Sequence, residues 1–334
     1  MPGEFDLIAK YFSRPTPHAV LGVGDDCALI KPTPDMELAI STDMLIAGRH
    51  FMPSDGPGTI GHKAMAVNLS DLAAMGARPR YALLSIALPE ADEKFLQGFA
   101  GGFFGLAQKH GVEVIGGDTT RGGLLTISVT IIGEVPPGQA LRRDAAQAGD
   151  DIWVSGTLGD AAAALAHHQG KLRLETGQAV QCFPRLFVPS PRIELGLALR
   201  RIAHACIDVS DGFAADLGHI LERSYVGADV WFEQLPLSDA LLPLRDNPAV
   251  QDCVLAGGDD YELVFTAPVD KREQIESIGK KLDLRLTRAG QVTPLSLEGR
   301  GVKGEGEAAD KAMRILHHGQ PMLLDRSGFD HFGP

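Results

Sequence analysis

The sequence predicts a two-domain protein of the α/β (α+β) class, on three observations. Its 334 residues suffice for two domains of ordinary size, each with its own core. Short apolar strands alternate with amphipathic or alanine-rich stretches along the chain. A turn-rich connection at 134–150, containing Val135-Pro136-Pro137-Gly138 and then Gln147-Ala148-Gly149-Asp150, interrupts that alternation. The expected domains are therefore residues 1–140 and 150–334.

In the first half the pattern predicts strands at 19–23, 38–41, 81–87, 112–115 and 126–132. Helices are expected at 61–75, closed by Gly76, and at 92–109, closed by Gly111, since a glycine just past the last turn takes the left-handed cap conformation. The second half opens with a strand at 152–155 and an alanine-rich helix from Asp160. Helices follow at 175–188, 192–201 and 213–223, with strands at 206–209 and near Val230 and Leu263, before a polar tail.

With 43 acidic against 31 basic residues, the formal charge of −12 argues against a nucleic-acid surface or an anionic-lipid surface. The apolar runs fall short of the roughly 18 residues a membrane span needs. The start, residues 1–12, carries acids where a secretion signal would be basic. The four cysteines, Cys27, Cys182, Cys206 and Cys253, show neither zinc nor disulfide spacing, so a reducing cytoplasm is the expected setting.

Acidic residues concentrate in small-residue segments that are expected at strand ends, where backbone and side chains can approach a ligand. These are Gly24-Asp25-Asp26, Ser41-Thr42-Asp43, Asn68-Leu69-Ser70-Asp71, Gly116-Gly117-Asp118-Thr119-Thr120 and Asp208-Val209-Ser210-Asp211-Gly212. Asp71 differs in lying on a predicted helix beside a small, mostly apolar face. Gathering several carboxylates without cations raises their pKa values, and hard divalent ions resolve the conflict because Mg²⁺ favours oxygen ligands. Singly, each motif also reads as a turn, a helix cap or a tight strand exit. Their recurrence in both halves favours a shared site.

Neither a Walker loop nor a kinase His-Arg-Asp loop occurs. Gly299-Arg300-Gly301-Val302-Lys303-Gly304 matches a dinucleotide fingerprint, yet too little chain follows for the rest of such a domain, and a turn is expected there. His167-His168 and His317-His318 are expected as exposed neighbours that cannot converge on one ion, whereas His50 closely follows Ser41-Thr42-Asp43. The aromatic end, Gly328-Phe329-Asp330-His331-Phe332, suits either a docked terminus or a wall for a flat ring.

These segments, in this order, resemble the thiamine-monophosphate kinase family. The resemblance extends through Ala66 to Ala77, Pro189-Ser190-Pro191-Arg192 and the aromatic end. It implies ATP-dependent conversion of thiamine monophosphate to thiamine diphosphate. It also implies a fold shared with aminoimidazole ribonucleotide synthetase, in which an N-terminal sheet domain forms a homodimer and a C-terminal α/β domain follows. By the same resemblance, Asp26, Ser41, Thr42, Asp43, Asp71, Asp118, Asp208 and Asp211 fall at magnesium ligands, several ions being implied. Gly117, Asp118, Arg143 and Ser210 fall at ATP contacts, and His50, Asp259 and Phe329 at substrate contacts. The family more commonly has Glu at Asp259 and often Tyr at Phe329.

ATP carries about four negative charges and the acceptor phosphate nearly two, so direct in-line transfer demands neutralising cations but no side-chain general base. Two alternatives stay open at this level. Relatives of the same fold phosphorylate other acceptors, and a cation-binding scaffold could also use scattered aspartates.

Overall fold

The first half is organised by a sheet whose middle strands are apolar on the face that meets two helices. The computed structural model describes residues 3–295, 313–322 and 328. The chain divides into two compact units, of which the first comprises Met1–Leu72, Ala77–Gly138 and Phe187–Ile193. Its sheet contains β1 (Glu37–Ile46), β2 (Arg78–Leu88), β3 (Glu113–Arg121) and β4 (Thr126–Val135), in the order β1-β4-β2-β3. β4 runs antiparallel to both β1 and β2, and β2 pairs with β3 in parallel.

A helical turn, α1 (Glu4–Leu7), leads into a wider turn, Ile8–Phe12, which buries Tyr11 and Phe12. The Tyr11 hydroxyl then donates to Glu93 at 2.8 Å. α2 (Pro57–Ala74) follows β1, and α3 (Glu93–Lys109) supplies the crossover that a parallel β2–β3 pair requires. Asp92 caps α3 by accepting from the Lys94 N–H at 2.8 Å. α2 is buried nearly all round, including Ala64, Met65, Leu69 and Leu72. It approaches α3 backbone to backbone: a Cβ on Gly102 would lie 1.9 Å from the Gly58 carbonyl oxygen.

The second unit comprises Ala73–Gly76, Gln139–Leu186 and Glu194–Pro334. Its strands are β5 (Asp151–Ser155), β6 (Ala205–Asp208), β7 (Val226–Trp231), β8 (Leu263–Ala267), β9 (Leu286–Pro294), β10 (Met313–His317) and β11 (Gln320–Pro321). They form a sheet in the order β11-β10-β7-β9-β5-β8-β6, antiparallel except where β10 meets β7. Its helices are α4 (Asp160–His168), α5 (Thr176–Phe187), α6 (Ile193–Leu199), α7 (Phe213–Ser224), α8 (Pro248–Ala256) and α9 (Arg272–Leu282). Every residue of β5, β6 and β8 is buried, as expected of strands covered on both faces.

The predicted α+β character, the four long strands of the first half and the helices closed by Gly76 and Gly111 are present, both glycines at positive φ. Three expectations change. Residues 19–23 form isolated bridges, Leu21 with Leu29 and Val23 with Asp25, instead of a strand, and Val20 is 65% exposed. The polar stretch after β8 holds α9 and β9, and β9 sits between β5 and β7. Its buried residues Ala289, Gly290 and Val292 are too small to announce a strand, and pairing on both edges imposes one. Ser41-Thr42-Asp43 and Gly116-Gly117-Asp118 lie inside β1 and β3, not at strand ends.

Candidate active site

The first acidic cluster is built by β1 and α2. Alternation turns Ser41 and Asp43 to the face that meets the helices, where the Ser41 hydroxyl donates to the Asp71 carboxylate on α2. Thr42 points the other way. Its Oγ1 donates to the Val129 carbonyl at 3.1 Å and accepts from the Thr130 hydroxyl at 3.2 Å. One turn before Asp71, the fully buried Asn68 donates to the Ala64 carbonyl at 2.9 Å, and its side-chain oxygen has no hydrogen-bond partner. Asp26 occupies an exposed turn, its N–H donating to Asp25 at 2.9 Å.

β3 carries the second glycine-rich motif. Its pairing with β2 skips Ile115, a bulge, and Gly117 then takes φ 149° so close to β2 that a Cβ would sit 1.7 Å from the Leu84 carbonyl oxygen. The register aligns Asp118 with Ser85, Ser128 and Met44, whereas Asp43 aligns with Val129, Leu84 and Gly117. Asp118 and Asp43 therefore stand in adjacent rows on strands three spacings apart, their backbones roughly 14 Å from each other.

His50 lies in the turn after β1. The Ile46 N–H donates to its Nδ1 at 3.0 Å, so the neutral ring carries its proton on Nε2, a donor suited to an anionic oxygen. The buried Lys63 of α2 fixes that turn by donating to the His50 carbonyl at 3.0 Å.

In the second unit Asp208 ends β6 and is buried, followed by the turn that holds Ser210 and Asp211. Sequence reasoning passed over the residue that organises this turn. Asp216, one turn into α7, accepts with a single oxygen from the backbone N–H groups of Ser210, Asp211 and Gly212, at 3.0 to 3.1 Å. An acid placed one turn inside a helix behind Ser-Asp-Gly is the available signal. Burial pushes the Asp216 carboxyl up to about 8, helped by Asp208 and Asp211, against the two backbone N–H bonds from Asp211 and Gly212.

The segment 257–262 lies against this turn. The Asp259 N–H donates to the Ser210 carbonyl at 2.9 Å and the Tyr261 N–H to the Val209 carbonyl at 2.8 Å. Asp259 and Tyr261 both adopt left-handed backbone, at φ 68° and 50°, and the Tyr261 hydroxyl donates to Asp259 at 2.9 Å. Flanking acids pin the strained pair. Asp260 accepts from the Gly159 N–H at 3.0 Å, and the buried Glu262 accepts from Ser155 at 2.6 Å and from the guanidinium of Arg185. Burial raises the Asp260 carboxyl well above its ordinary value, opposed by Gly159 and Arg185.

Arg143 is exposed, and its carbonyl accepts from Ser224 at 2.9 Å. Gly328 lies against this turn, for a Cβ there would lie 3.0 Å from the Asp211 carbonyl oxygen and 2.5 Å from the Ala215 side chain. Phe329 lies outside the described residues, as does the segment 299–304. The histidine expectation fails at one place: His317 and His318 stack with ring centroids 4.2 Å apart beside Glu233, because His318 sits in a turn at φ 50°. The cluster shares no residue with the candidate site.

Family models place both halves in one class, the AIR synthase related proteins, with the N-terminal domain model matching residues 24–135 and the C-terminal domain model residues 147–301. A thiamine-monophosphate kinase of Salmonella typhimurium is 43% identical over 99% of this chain and 98% of its own. The crystal structure of thiamine-monophosphate kinase from Stenotrophomonas maltophilia K279a has 48% identity and a TM-score of 0.80, covering 90% of this chain and 91% of that one. A structure of AaThiL complexed with AMPPCP and TMP matches at 30% identity and TM-score 0.73, covering 90% and 89%. The chain belongs to the thiamine-monophosphate kinase family.

Replacing Asp216 with Ala leaves three turn N–H groups without their acceptor and should cost about 3 kcal/mol in denaturant unfolding. Asp216→Asn keeps an acceptor oxygen and should retain most of that stability. In metal-free buffer the wild-type carboxyl, raised from 3.8 to about 8, contributes stability that is full below pH 3.8 and lost as pH rises through about 8. Asp216→Asn should flatten that pH dependence. Unfolding curves for all three proteins across this range check both statements.

Proposed function

We infer that this chain transfers the γ-phosphoryl group of ATP to the phosphate of thiamine monophosphate, releasing ADP and thiamine diphosphate. The observation that carries the reading is the crowding of Asp208, Asp211 and Asp216 around one backbone turn, in a chain of this family. Such a group is repulsive alone and a ligand set for a hard cation. The donors are all oxygen, the fit that Mg²⁺ demands, and Asn68 adds a buried oxygen without a partner.

Asp26, Ser41, Asp43, Asp71, Asp118, Asp208 and Asp211 would hold Mg²⁺, with Thr42 contributing through its main chain, since its hydroxyl is engaged on the far face. The separation of Asp43 and Asp118 across the sheet supports more than one ion. Bound Mg²⁺ supplies neutralisation of the facing phosphates. Gly117, Asp118, Ser210 and Arg143 would bind the nucleotide, the exposed Gly117 offering its backbone while its missing Cβ lets β3 pack against β2. His50, through Nε2–H, and Asp259 would orient the acceptor, with Phe329 beside the ring. An acceptor phosphate oxygen attacks the γ-phosphorus as the bond to the β–γ bridging oxygen breaks and ADP leaves. The acceptor is already an anion, so no side chain need remove a proton.

The protein works as a homodimer in the cytoplasm. Supporting the dimer, edge strand β1 exposes Leu38, Ile40 and Met44 on its outward face. The four cysteines are free, and no described helix is long and apolar enough to cross a membrane.

Two tests follow from this reading. Asp43→Asn and Asp118→Asn should fold with near-normal melting midpoints yet lose about a hundredfold or more in turnover, each removing charge-neutralising ligation. Chromatography for thiamine diphosphate reads the result, and near-normal turnover in both would return these acids to a structural role. Light scattering should give twice the chain mass for the wild type and one chain mass for Ile40→Glu. A wild-type monomer would end the dimer proposal.

A further inference from the structure

α9 crosses the sheet where β7, β9 and β5 lie side by side, and leaves a cleft of about 550 Å³ there. Its walls include Trp153, Trp231, Arg272, Glu276, Arg285 and Arg288. None of these belongs to the candidate active site. The size suits a small organic ligand.

Charge distinguishes the cleft from the rest of the molecule. The chain carries a net −12, yet three guanidinium groups here meet two carboxylates among the described residues, Glu276 and the buried Asp151. Arg272 holds Asp151 with both prongs, at 2.5 and 2.8 Å, and Arg288 adds a longer contact to the same carboxylate at 3.4 Å. Arg285 makes no ion pair among the described residues, and its guanidinium donates to the Leu237 carbonyl at 3.2 Å.

Flat surfaces accompany that charge. Arg288 lies over the Trp231 ring, 5.6 Å from its centroid, and is the cross-strand neighbour of Trp153. Trp153 is backed by Phe265, stacked at 6.3 Å, so its ring is held rigid. Its indole N–H is buried without a hydrogen-bond partner, an unmet donor that costs free energy in the unliganded protein. Guanidinium forks match carboxylate and phosphate oxygens, and aromatic walls select a planar group.

We propose that the cleft between α9 and strands β5, β7 and β9 binds a small aromatic oxyanion, a flat ring carrying a phosphate or carboxylate, with Arg285 and Arg288 on the oxyanion and the tryptophans beside the ring. The site is separate from the phosphoryl-transfer residues and stands whether or not that function holds.

Trp153 and Trp231 are the only tryptophans in the chain, so intrinsic tryptophan fluorescence reports on this cleft alone. The full-length protein is titrated separately with phenyl phosphate, benzoate and inorganic phosphate. A saturable fluorescence change with phenyl phosphate or benzoate is expected, and whichever of them binds more tightly identifies the oxyanion. Arg285→Ala should weaken that binding by about tenfold or more, the worth of one charge-assisted hydrogen-bonding group. Arg285→Gln, which keeps an amide donor for the Leu237 carbonyl, serves if the alanine variant loses its melting midpoint. Three results would overturn the proposal: no saturable change with either aromatic anion, unchanged affinity in a folded Arg285 variant, or inorganic phosphate binding as tightly as phenyl phosphate.

Discussion

Like charges crowded at a turn of the backbone are the constraint on which the rest of this structure depends. Asp208, Asp211 and Asp216 meet where β6 gives way to α7, and Asp71 of α2 meets Ser41 on the face of β1 that also carries Asp43. Carboxylates gathered like this destabilise one another unless a cation joins them or a proton neutralises one. The scaffold therefore has to supply rigid support from elsewhere. In the first unit it comes from a helix buried nearly all round and packed against its neighbour at glycines. In the second it comes from backbone N–H groups converging on Asp216.

The same logic explains the buried acids around Asp259. Breaking a buried ion pair leaves an uncompensated charge, so Arg185 and Glu262 form a contact that is costly to disturb. With Asp260 tied to the start of α4, the two anchors hold Asp259 and Tyr261 in left-handed conformations that neither residue favours. A carboxylate kept in a strained pose by flanking anchors is preorganised: its position is set before any ligand arrives.

Much of this was legible in the sequence, for identifiable reasons. Apolar patterning made β2, β4 and α3 plain, an alanine-rich apolar run marked α2, and Gly76 and Gly111 marked the helix ends. Acid-and-glycine motifs drew attention to β1, β3 and the β6–α7 turn. What stayed hidden depends on tertiary pairing. β9 has only small buried residues and becomes a strand because two neighbours claim its edges. α8, which the structure starts at Pro248 behind the Asn247 cap, has too weak an apolar periodicity to announce itself. The facing of Thr42 away from Asp43, and the separation of Asp118 from Asp43 across the sheet, need a register that no linear motif encodes. Asp216 was hidden for another reason, because it serves the site through the backbone of its neighbours.

The central claim is that these acids are mutually destabilising until a divalent cation joins them. Asp208→Asn removes one charge from the β6–α7 cluster while keeping its shape. The decisive measurement is the thermal unfolding midpoint of wild type and Asp208→Asn, each with Mg²⁺ and after chelation, at pH 8 where the Asp216 carboxyl is about half ionised. The account predicts that Mg²⁺ raises the wild-type midpoint, and that the variant is more stable than wild type without metal and gains less from it. A variant less stable than wild type without metal, with an undiminished gain from Mg²⁺, would contradict it.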